Sequence, residues 1–497
     1  NMVKQTLDKD LGRIETIGAE AMHGSARYKA LALAVLFLLI VWAFSASVTA
    51  AGEHSTLIII AAIIGGYMAL NIGANDVANN VGPAVGSRAL TMFGALIIAA
   101  IFEAAGAILA GGDVVNTIQK GIINPASMQN SEVFIWAMMS ALFAAALWVN
   151  IATWVGAPVS TTHAVVGGVM GAGIAAAGFS IVDWGTMSAI AASWVISPIM
   201  GGAIAAIFLA FIKYNVIYKD DKVSASRRWV PLLVAIMAGV FSAYLVTKGL
   251  KRIWRPDAVT VFAISLAFFA GTYAIVKPVI HRASVGMENR NKSVRALFTI
   301  PLICSAALLS FAHGANDVAN AVGPLAAIVE TSTSGAIDAK VGIPLWVMLI
   351  GAAGLSAGLF LFGPKLIRTV GEQITKMNPM RAYCVALSAG ITVLIASALG
   401  LPVSSTHIAV GAVFGVGFFR EWDTERRARK LRESLRDEKI HPDSNLPATE
   451  LDQSENRPKK LVRRSQLMTI VAAWVITVPS AALLSAGIFL TVSYFAE

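Results

Sequence analysis

Cysteine and charged residues are both scarce in this chain. Only two of its 497 residues are cysteine, and Asp, Glu, Lys and Arg together make up 14%. Cys304 and Cys384 each lie inside an apolar segment, where a thiol packs as a small hydrophobic residue. We therefore expect neither a disulfide framework nor a metal–thiolate site. Soluble proteins carry about 25% charged residues, so the low charge predicts a polytopic membrane protein.

Acidic residues are also outnumbered, since 39 Lys and Arg against 29 Asp and Glu give a formal net charge of +10. The basic residues fall in short loops between apolar segments, which argues against a nucleic-acid partner. Basic loops favour the cytoplasmic side, so the pattern predicts a cytoplasmic N-terminus. The loops that carry this signal are 213–228, 278–295, 364–381 and 420–466, and the basic loop 249–257 is the exception.

Long apolar runs, by contrast, are abundant and predict an all-α polytopic membrane protein with about 12 to 13 membrane segments. Leu31–Ala50 is long for the apolar region of a signal peptide, so we interpret it as a retained membrane helix, with cleavage as the alternative. The runs 160–178 and 404–419 are short and rich in glycine. Each is either a full crossing or a re-entrant half helix.

Two polar motifs each occur twice. Gly73–Pro83 (Gly-Ala-Asn-Asp-Val-Ala-Asn-Asn-Val-Gly-Pro) returns as Gly314–Pro324 with a single change. Both copies end a strongly apolar run, and Gly, Asn, Asp and Pro at that place predict a helix break. Pro158–His163 (Pro-Val-Ser-Thr-Thr-His) likewise returns as Pro402–His407.

The duplication predicts two structural repeats. If every apolar run crosses, an odd number of crossings separates the two copies, and the second repeat is inverted. Inverted repeats with interrupted apolar segments are typical of secondary transporters, whose site lies at the repeat interface. The predicted division is 1–54 (basic segment and extra helix), 55–213 (first repeat), 214–295 (central linker helices), 296–419 (second repeat), 420–466 (charged cytoplasmic insert) and 467–497 (last helix of the second repeat).

The Pro-Val-Ser motif offers hydrogen-bond donors that suit an oxyanion. Ser or Thr between Pro and an apolar run is a good helix N-cap, and a helix N-terminus attracts anions. The hydroxyls add donors without adding charge, and ordinary capping is the alternative. The candidate oxyanion-binding residues are Ser160, Thr161, Thr162, Ser404, Ser405 and Thr406.

The Gly-Ala-Asn-Asp motif offers oxygens that suit a small cation. Asp76 and Asn79 are three residues apart, as are Asp317 and Asn320, so each pair shares one face of a helix. Carboxylate and amide oxygens are hard ligands for a cation. An Asp can instead carry a proton or cap a half helix. Because charge at membrane depth is costly, such residues are by default functional.

Glu103 and two histidines are further candidates. Glu103 stands alone in an apolar helix and is a coupling candidate, whereas the best-aligned second-half segment, Gly351–Gly354, has no acidic residue. His163 and His407 follow the hydroxyls and either orient a loop or shuttle protons. No nucleophile–base–acid set and no metal cluster emerges, so an enzyme is not expected.

With these motifs the sequence resembles the inorganic phosphate transporter (PiT) family over most of residues 55–494. The resemblance implies a twelve-helix inverted-repeat fold, usually a homodimer, that imports phosphate with Na⁺ or H⁺ and here lies in the plasma (inner) membrane of a prokaryote. It implies that phosphate binds at the six hydroxyl residues named above. It also implies Na⁺ around Asn75, Asp76, Asn316 and Asp317, with Asn79 and Asn320 close by, and no other cofactor.

Two features depart from the family pattern. Leu31–Ala50 is an additional helix, and Ala382–Leu401 lacks the Glu that sodium-coupled relatives often carry there. The Gly-Ala-Asn-Asp form nevertheless resembles the sodium-coupled branch. The sequence therefore predicts Na⁺-coupled import of phosphate by alternating access. An H⁺-coupled phosphate or sulfate permease and a passive anion channel are the alternatives.

Overall fold

The computed structural model describes residues 28–49, 54–155, 159–251, 254–334, 342–373, 377–438 and 464–496. These residues form helices and no strand, apart from one isolated bridge between Ile123 and Val182. Eleven of the described helices are long and apolar enough to cross a membrane. The predicted basic segment before Tyr28 and most of the charged insert lie outside the described residues.

Fifteen α-helices follow one another along the described chain. They are α1 (Tyr28–Val48), α2 (Ser55–Gly86), α3 (Met92–Ala110), α4 (Gly112–Lys120), α5 (Ser131–Val155), α6 (Thr161–Ala177), α7 (Trp184–Ile212), α8 (Lys222–Tyr244), α9 (Ala258–Ala283), α10 (Asn291–Leu297), α11 (Thr299–Ser334), α12 (Leu345–Gln373), α13 (Pro379–Ala398), α14 (Ser405–Glu438) and α15 (Arg464–Ala496). Because α14 continues to Glu438, the predicted boundary at 420 falls inside a helix.

The predicted helix break at the Gly-Ala-Asn-Asp motif is wrong. α2 runs without interruption through Gly73–Pro83, and α11 runs through Gly314–Pro324. Proline within a membrane helix is tolerated when neighbouring helices satisfy the freed backbone groups. The interruptions lie instead at the other motif, between α5 and α6 and between α13 and α14.

Each interruption is the tip of a helical hairpin. The hairpin α5–α6 starts and finishes at one end of the molecule, because Asn124 N–H donates to Ile181 O at 2.8 Å and Asp183 N–H donates to Ile122 O at 3.0 Å. The run 160–178 is therefore the returning arm of this hairpin. The two runs of this hairpin were each counted as a membrane crossing, but together they enter and leave on the same side. The number of crossings between the two motif copies therefore falls by two and stays odd.

Equivalent helices of the two repeats run antiparallel. In α2 and α11, Gly65 lies against Leu325, whereas Asp76 lies near His313, so the residue numbers rise along one helix as they fall along the other. This arrangement is what an inverted repeat requires.

The repeats also contact each other through reciprocal pairs of backbones. α2 packs on α12 and α11 packs on α3. A methyl group placed on Gly73 would lie 2.0 Å from the carbonyl oxygen of Leu355, and one on Gly314 would lie 2.0 Å from that of Glu103. Only glycine allows such an approach. The same reciprocity joins α6 to α15 and α14 to α7.

We predict that Gly314→Ala destabilises the fold, because the added methyl group would meet a backbone oxygen that cannot move by a side-chain rotation. Overpacking of this kind costs about 1–3 kcal/mol or more. Gly271→Ala in α9 is the matched control, since a methyl group there meets nothing within 4 Å and alanine favours the helix. Thermal unfolding in detergent should show a lower midpoint for Gly314→Ala alone, and equal midpoints would contradict the close packing.

Candidate functional site

Two buried aspartates lie where α2 and α11 pack together. Asp76 and Asp317 are each only 1% exposed. His313, one turn before Asp317, lies between them: its Nε2 is 2.8 Å from Asp317 Oδ2 and 3.7 Å from Asp76 Oδ2. Facing helices thus bring both predicted cation-binding carboxylates to one place.

Each aspartate lies beside a hydroxyl of each hairpin. Asp76 accepts from Thr161 at 3.2 Å and from Thr406 at 3.0 Å. Asp317 accepts from Ser405 at 2.8 Å, and Thr162 Oγ1 lies 3.5 Å from its Oδ1, farther than the carbonyl oxygen of Val403 at 3.0 Å. The two hairpin tips therefore place their first-turn hydroxyls directly on the two carboxylates. The motifs that the sequence analysis assigned to anion and to cation form one site.

The asparagines of the Gly-Ala-Asn-Asp motif extend the same pattern. Asn79 Nδ2 donates to Thr406 Oγ1 at 2.9 Å, and Asn320 Nδ2 donates to Thr162 Oγ1 at 3.1 Å and to Thr161 Oγ1 at 3.3 Å. Each amide holds in place a hydroxyl of the hairpin that belongs to the other repeat. The side-chain oxygen of Asn320 is buried and accepts no hydrogen bond, so it remains available as an oxygen ligand.

Four predicted site residues contact the hairpins instead of the two aspartates. Ser160 and Ser404 cap α6 and α14, where their hydroxyl oxygens accept from backbone N–H groups at 3.2 and 3.3 Å. Asn75 donates to Thr153 of α5 at 2.9 Å. Asn316 donates to Ser397 at 3.0 Å and accepts from Val403 N–H at 3.2 Å. Their contacts orient the hairpin tips toward the aspartates.

The tip of the second hairpin is held from several sides. Gly400 there has a positive φ of 69°, which favours glycine. Carbonyl groups exposed by the interruption each receive a donor from another helix or its flanking turn. The donors are Lys248 to Ala398 at 2.7 Å, Thr117 to Gly400 at 2.6 Å, Asn316 to Leu401 at 3.2 Å, Trp194 to Pro402 at 3.0 Å and Thr162 to Val403 at 3.0 Å.

A third carboxylate breaks the symmetry of the site. Glu103 of α3 is fully buried; its Oε1 accepts from Asn80 Nδ2 at 2.7 Å and lies 3.2 Å from His313 Nδ1. Gly106 packs on Phe311 as Gly358 packs on Leu70. Gly106 and Gly358 are therefore equivalent positions, and the residues three positions earlier, Glu103 and Leu355, are equivalent too. The predicted alignment of Glu103 with Gly351–Gly354 is wrong, because it is displaced by about one helical turn.

The sequence indicated Glu103 as a coupling candidate but did not indicate its partners Asn80 and His313. The mirror positions hold Ala321, Leu355 and Ile72. The single difference between the two motif copies, Asn80 against Ala321, was the available signal, because that difference lies in contact with Glu103.

The site as a whole is acidic. Among the described residues, three carboxylates meet one imidazole there, and no Lys or Arg side chain pairs with them. Ligand atoms of Asp76, His313 and Asp317 lie within 4.8 Å of one another, close enough to hold a metal ion. The hydroxyls that suit an oxyanion therefore stand beside carboxylates that repel it, and a bound anion requires a cation or a proton next to it.

His163 and His407 lie one residue beyond the hydroxyls. Their rings are 4.7 Å apart, and Trp194 packs on His163 at 3.8 Å between ring centroids. The three carboxylates are bridged by another histidine, His313.

The sequence model of the phosphate transporter family matches residues 72–485 of the chain. The chain belongs to this family. A Helicobacter pylori (strain J99) protein named "Putative phosphate permease" is 47% identical, over 93% of this chain and 95% of the relative. A Pyrococcus abyssi relative with the same description is 34% identical, over 86% of this chain and 96% of the relative.

A solved structure agrees with the fold of this family member. It is called "The sodium-dependent phosphate transporter", is 35% identical to the chain and superposes with a TM-score of 0.77. The match covers 88% of this chain and 99% of the solved one. The predicted all-α transporter fold and the predicted family are confirmed. The chain is a multi-pass membrane transporter of phosphate and not an enzyme.

We predict that Asn80→Ala destabilises this phosphate transporter, because it removes a buried donor from Glu103. An unsatisfied buried acceptor costs about 1–3 kcal/mol. The double variant Asn80→Ala with Glu103→Leu reproduces the apolar pair of the mirror repeat and should lose less stability than the sum of the two single variants. Apparent unfolding midpoints measure this, and strictly additive losses would contradict a direct Asn80–Glu103 interaction.

Proposed function

We propose that the chain imports phosphate by symport with Na⁺. The observation that carries this proposal is the set of bonds from Thr161, Ser405 and Thr406 to the two aspartates. Each hydroxyl has one proton to donate. Phosphate can take these donors only if the carboxylates give them up, and a cation on the carboxylates compensates that loss.

The charge of the site supports the same coupling. Three carboxylates and one imidazole already surround it, and a phosphate adds further negative charge. Burying uncompensated charge costs several kcal/mol per ion, so phosphate binds well only with cations present. Asp76 and Asp317 supply carboxylate oxygens and Asn320 supplies an amide oxygen, and such hard oxygen ligands suit a small cation.

The inverted repeats provide the transport step in this proposal. Carboxylates stand on α2 and α11, which pack on α12 and α3, whereas the hydroxyls begin α6 and α14, which pack on α15 and α7. Relative movement of these two groups of helices would open the site first to one side and then to the other. The cytoplasmic N-terminus, the prokaryotic plasma membrane, the predicted division of the chain and the homodimer stay predictions.

The coupling ion is tested with the purified protein in proteoliposomes, with Na⁺ and pH gradients imposed separately. We expect an inward Na⁺ gradient alone to drive accumulation of labelled phosphate, and Asp317→Asn to weaken the response at limiting Na⁺. Accumulation with a pH gradient alone would establish H⁺ coupling instead. Phosphate flux that ignores both gradients would overturn symport, because it is the behaviour of a channel.

The hydroxyl assignment is tested with Thr162→Val and Thr406→Val, which keep the side-chain shape and remove one donor each. A hydrogen bond to a charged group contributes about 1.5–3 kcal/mol, which corresponds to roughly 10- to 100-fold weaker phosphate binding for either variant. Pseudo-symmetry predicts similar losses for the two, and rescue by Ser.

Thr333→Val in α11 is the matched control, since Thr333 is exposed and its hydroxyl bonds only within its own helix, to Val329 O at 2.6 Å. Equilibrium binding of labelled phosphate at saturating Na⁺ gives the readout. Unchanged affinity in both site variants would show that these hydroxyls do not contact phosphate.

A further inference from the structure

Three arginines from three helices gather where the second hairpin begins. Arg381 lies in the first turn of α13, and Arg420 lies on α14 at the opposite arm of the hairpin, about the same number of residues from the tip. Arg295 ends α10, which the Phe298–Tyr383 ring contact at 5.6 Å holds against α13. Each guanidinium group repels the other two electrostatically. Together these residues form the arginine cluster.

No ion pair within the described part of the chain neutralises this cluster, since no carboxylate oxygen there lies within 4.0 Å of the three guanidinium groups. Glu421 acts electrostatically on Arg420, against the effects of burial and of Arg295, which lower the pKa of Arg420. Two of the three arginines are partly buried and the third, Arg295, is exposed.

Asp423, the next acid along α14, is already engaged. Lys213 Nζ lies 2.6 Å from its Oδ2, and the Tyr218 hydroxyl donates to the same oxygen. Burial alone would raise the pKa of Asp423, but these hydrogen bonds and the charges of Lys213 and Arg427 lower it. The carboxylate therefore stays ionised and bound to other partners.

The helix dipole adds to the unfavourable charge. Arg381 stands at the positive end of α13, where an anion is favoured and a cation is not. The equivalent arm of the first hairpin, α5, carries Glu132 in its first turn, while α13 carries no acidic residue there. One repeat therefore follows the electrostatic rule, and the other repeat breaks it at the place where two more arginines converge.

We propose that Arg295, Arg381 and Arg420 bind a phosphate group. Guanidinium groups hold phosphate oxygens by paired, charge-assisted hydrogen bonds, and basic pockets at helix ends bind lipid head groups. The phosphate group belongs either to inorganic phosphate or to an anionic phospholipid. Fifteen residues of continuous α14 separate Arg420 from Ser405, which is roughly 22 Å, so the arginine cluster is distinct from the central site.

An orientation signal for membrane insertion is the simpler explanation of basic residues at this end. Such a signal needs neither convergence of three helices nor partial burial. Arg282 in the last turn of α9 is exposed and can serve as an orientation signal without either feature. Arg282→Gln is therefore the matched control. The proposal does not depend on the coupling ion, so its failure would leave the symport proposal intact.

The first arm of the test uses inorganic phosphate and the purified full chain in a neutral detergent. Thr162→Val with Thr406→Val serves as the background, to weaken the central site. We expect residual binding of labelled phosphate to weaken at least about tenfold when Arg381→Gln and Arg420→Gln are added, which corresponds to the loss of one charged hydrogen bond or more. Arg282→Gln should leave it unchanged.

The second arm uses phosphatidylglycerol against zwitterionic phosphatidylcholine, with bound lipid counted by native mass spectrometry. Selective loss of phosphatidylglycerol in the double Gln variant assigns the site to a lipid head group, and selective loss in the first arm assigns it to free phosphate. If the double Gln variant matches Arg282→Gln in both arms, the proposal is overturned.

Gel filtration establishes that each variant is folded. If the double Gln variant does not fold, Arg420→Lys takes its place, because lysine keeps the charge but loses the planar fork that pairs with phosphate. With Arg420→Lys, binding of either labelled phosphate or phosphatidylglycerol should weaken, but less than with the double Gln variant. Unchanged binding of both ligands would overturn the proposal.

Discussion

Two carboxyl groups buried side by side constrain the whole centre of this transporter. Asp76 and Asp317 are almost fully enclosed by helices, where unpaired carboxylates are too costly to persist. One imidazole and four hydroxyls surround them, and the amides of Asn79 and Asn320 donate to those hydroxyls. The hairpin interruptions serve this requirement, because only a helix that begins in the interior can place hydroxyls in its first turn beside a carboxylate.

Reciprocal contacts join the two repeats into one unit. Each aspartate lies beside a hydroxyl from the hairpin of the other repeat, and each Gly-Ala-Asn-Asp glycine lies against a backbone carbonyl of the other repeat. These backbone contacts tie α2 to α12 and α11 to α3, while the hydroxyl-bearing helices pack with α7 and α15. The carboxylates and their donors thus stand on different helices, and the hairpin arms α5 and α13 connect them by packing on α2 and α11.

Duplication made most of this site predictable from the sequence. The four hydroxyls, both aspartates and the two asparagines follow from motifs that recur at matching positions, and the structure brings them together. The continuity of α2 through Gly73–Pro83 was not predictable from local residues, because packing partners for the polar groups decide whether such a helix opens. The role of His313 was also hidden, since it becomes visible only when α3 brings Glu103 beside it.

The asymmetry that escaped sequence analysis bears on the order of binding under the proposed coupling. His313 Nε2 lies 2.8 Å from Asp317 but 3.7 Å from Asp76, and its Nδ1 faces Glu103. Asp317 therefore has the closer imidazole and Asp76 the more distant one. Electrostatic attraction falls with distance and with competing positive charge, so under the proposed coupling a cation is drawn to Asp76 before Asp317. A cation at Asp317 would have to displace or share the imidazole, which makes the two aspartates inequivalent in an otherwise symmetric site.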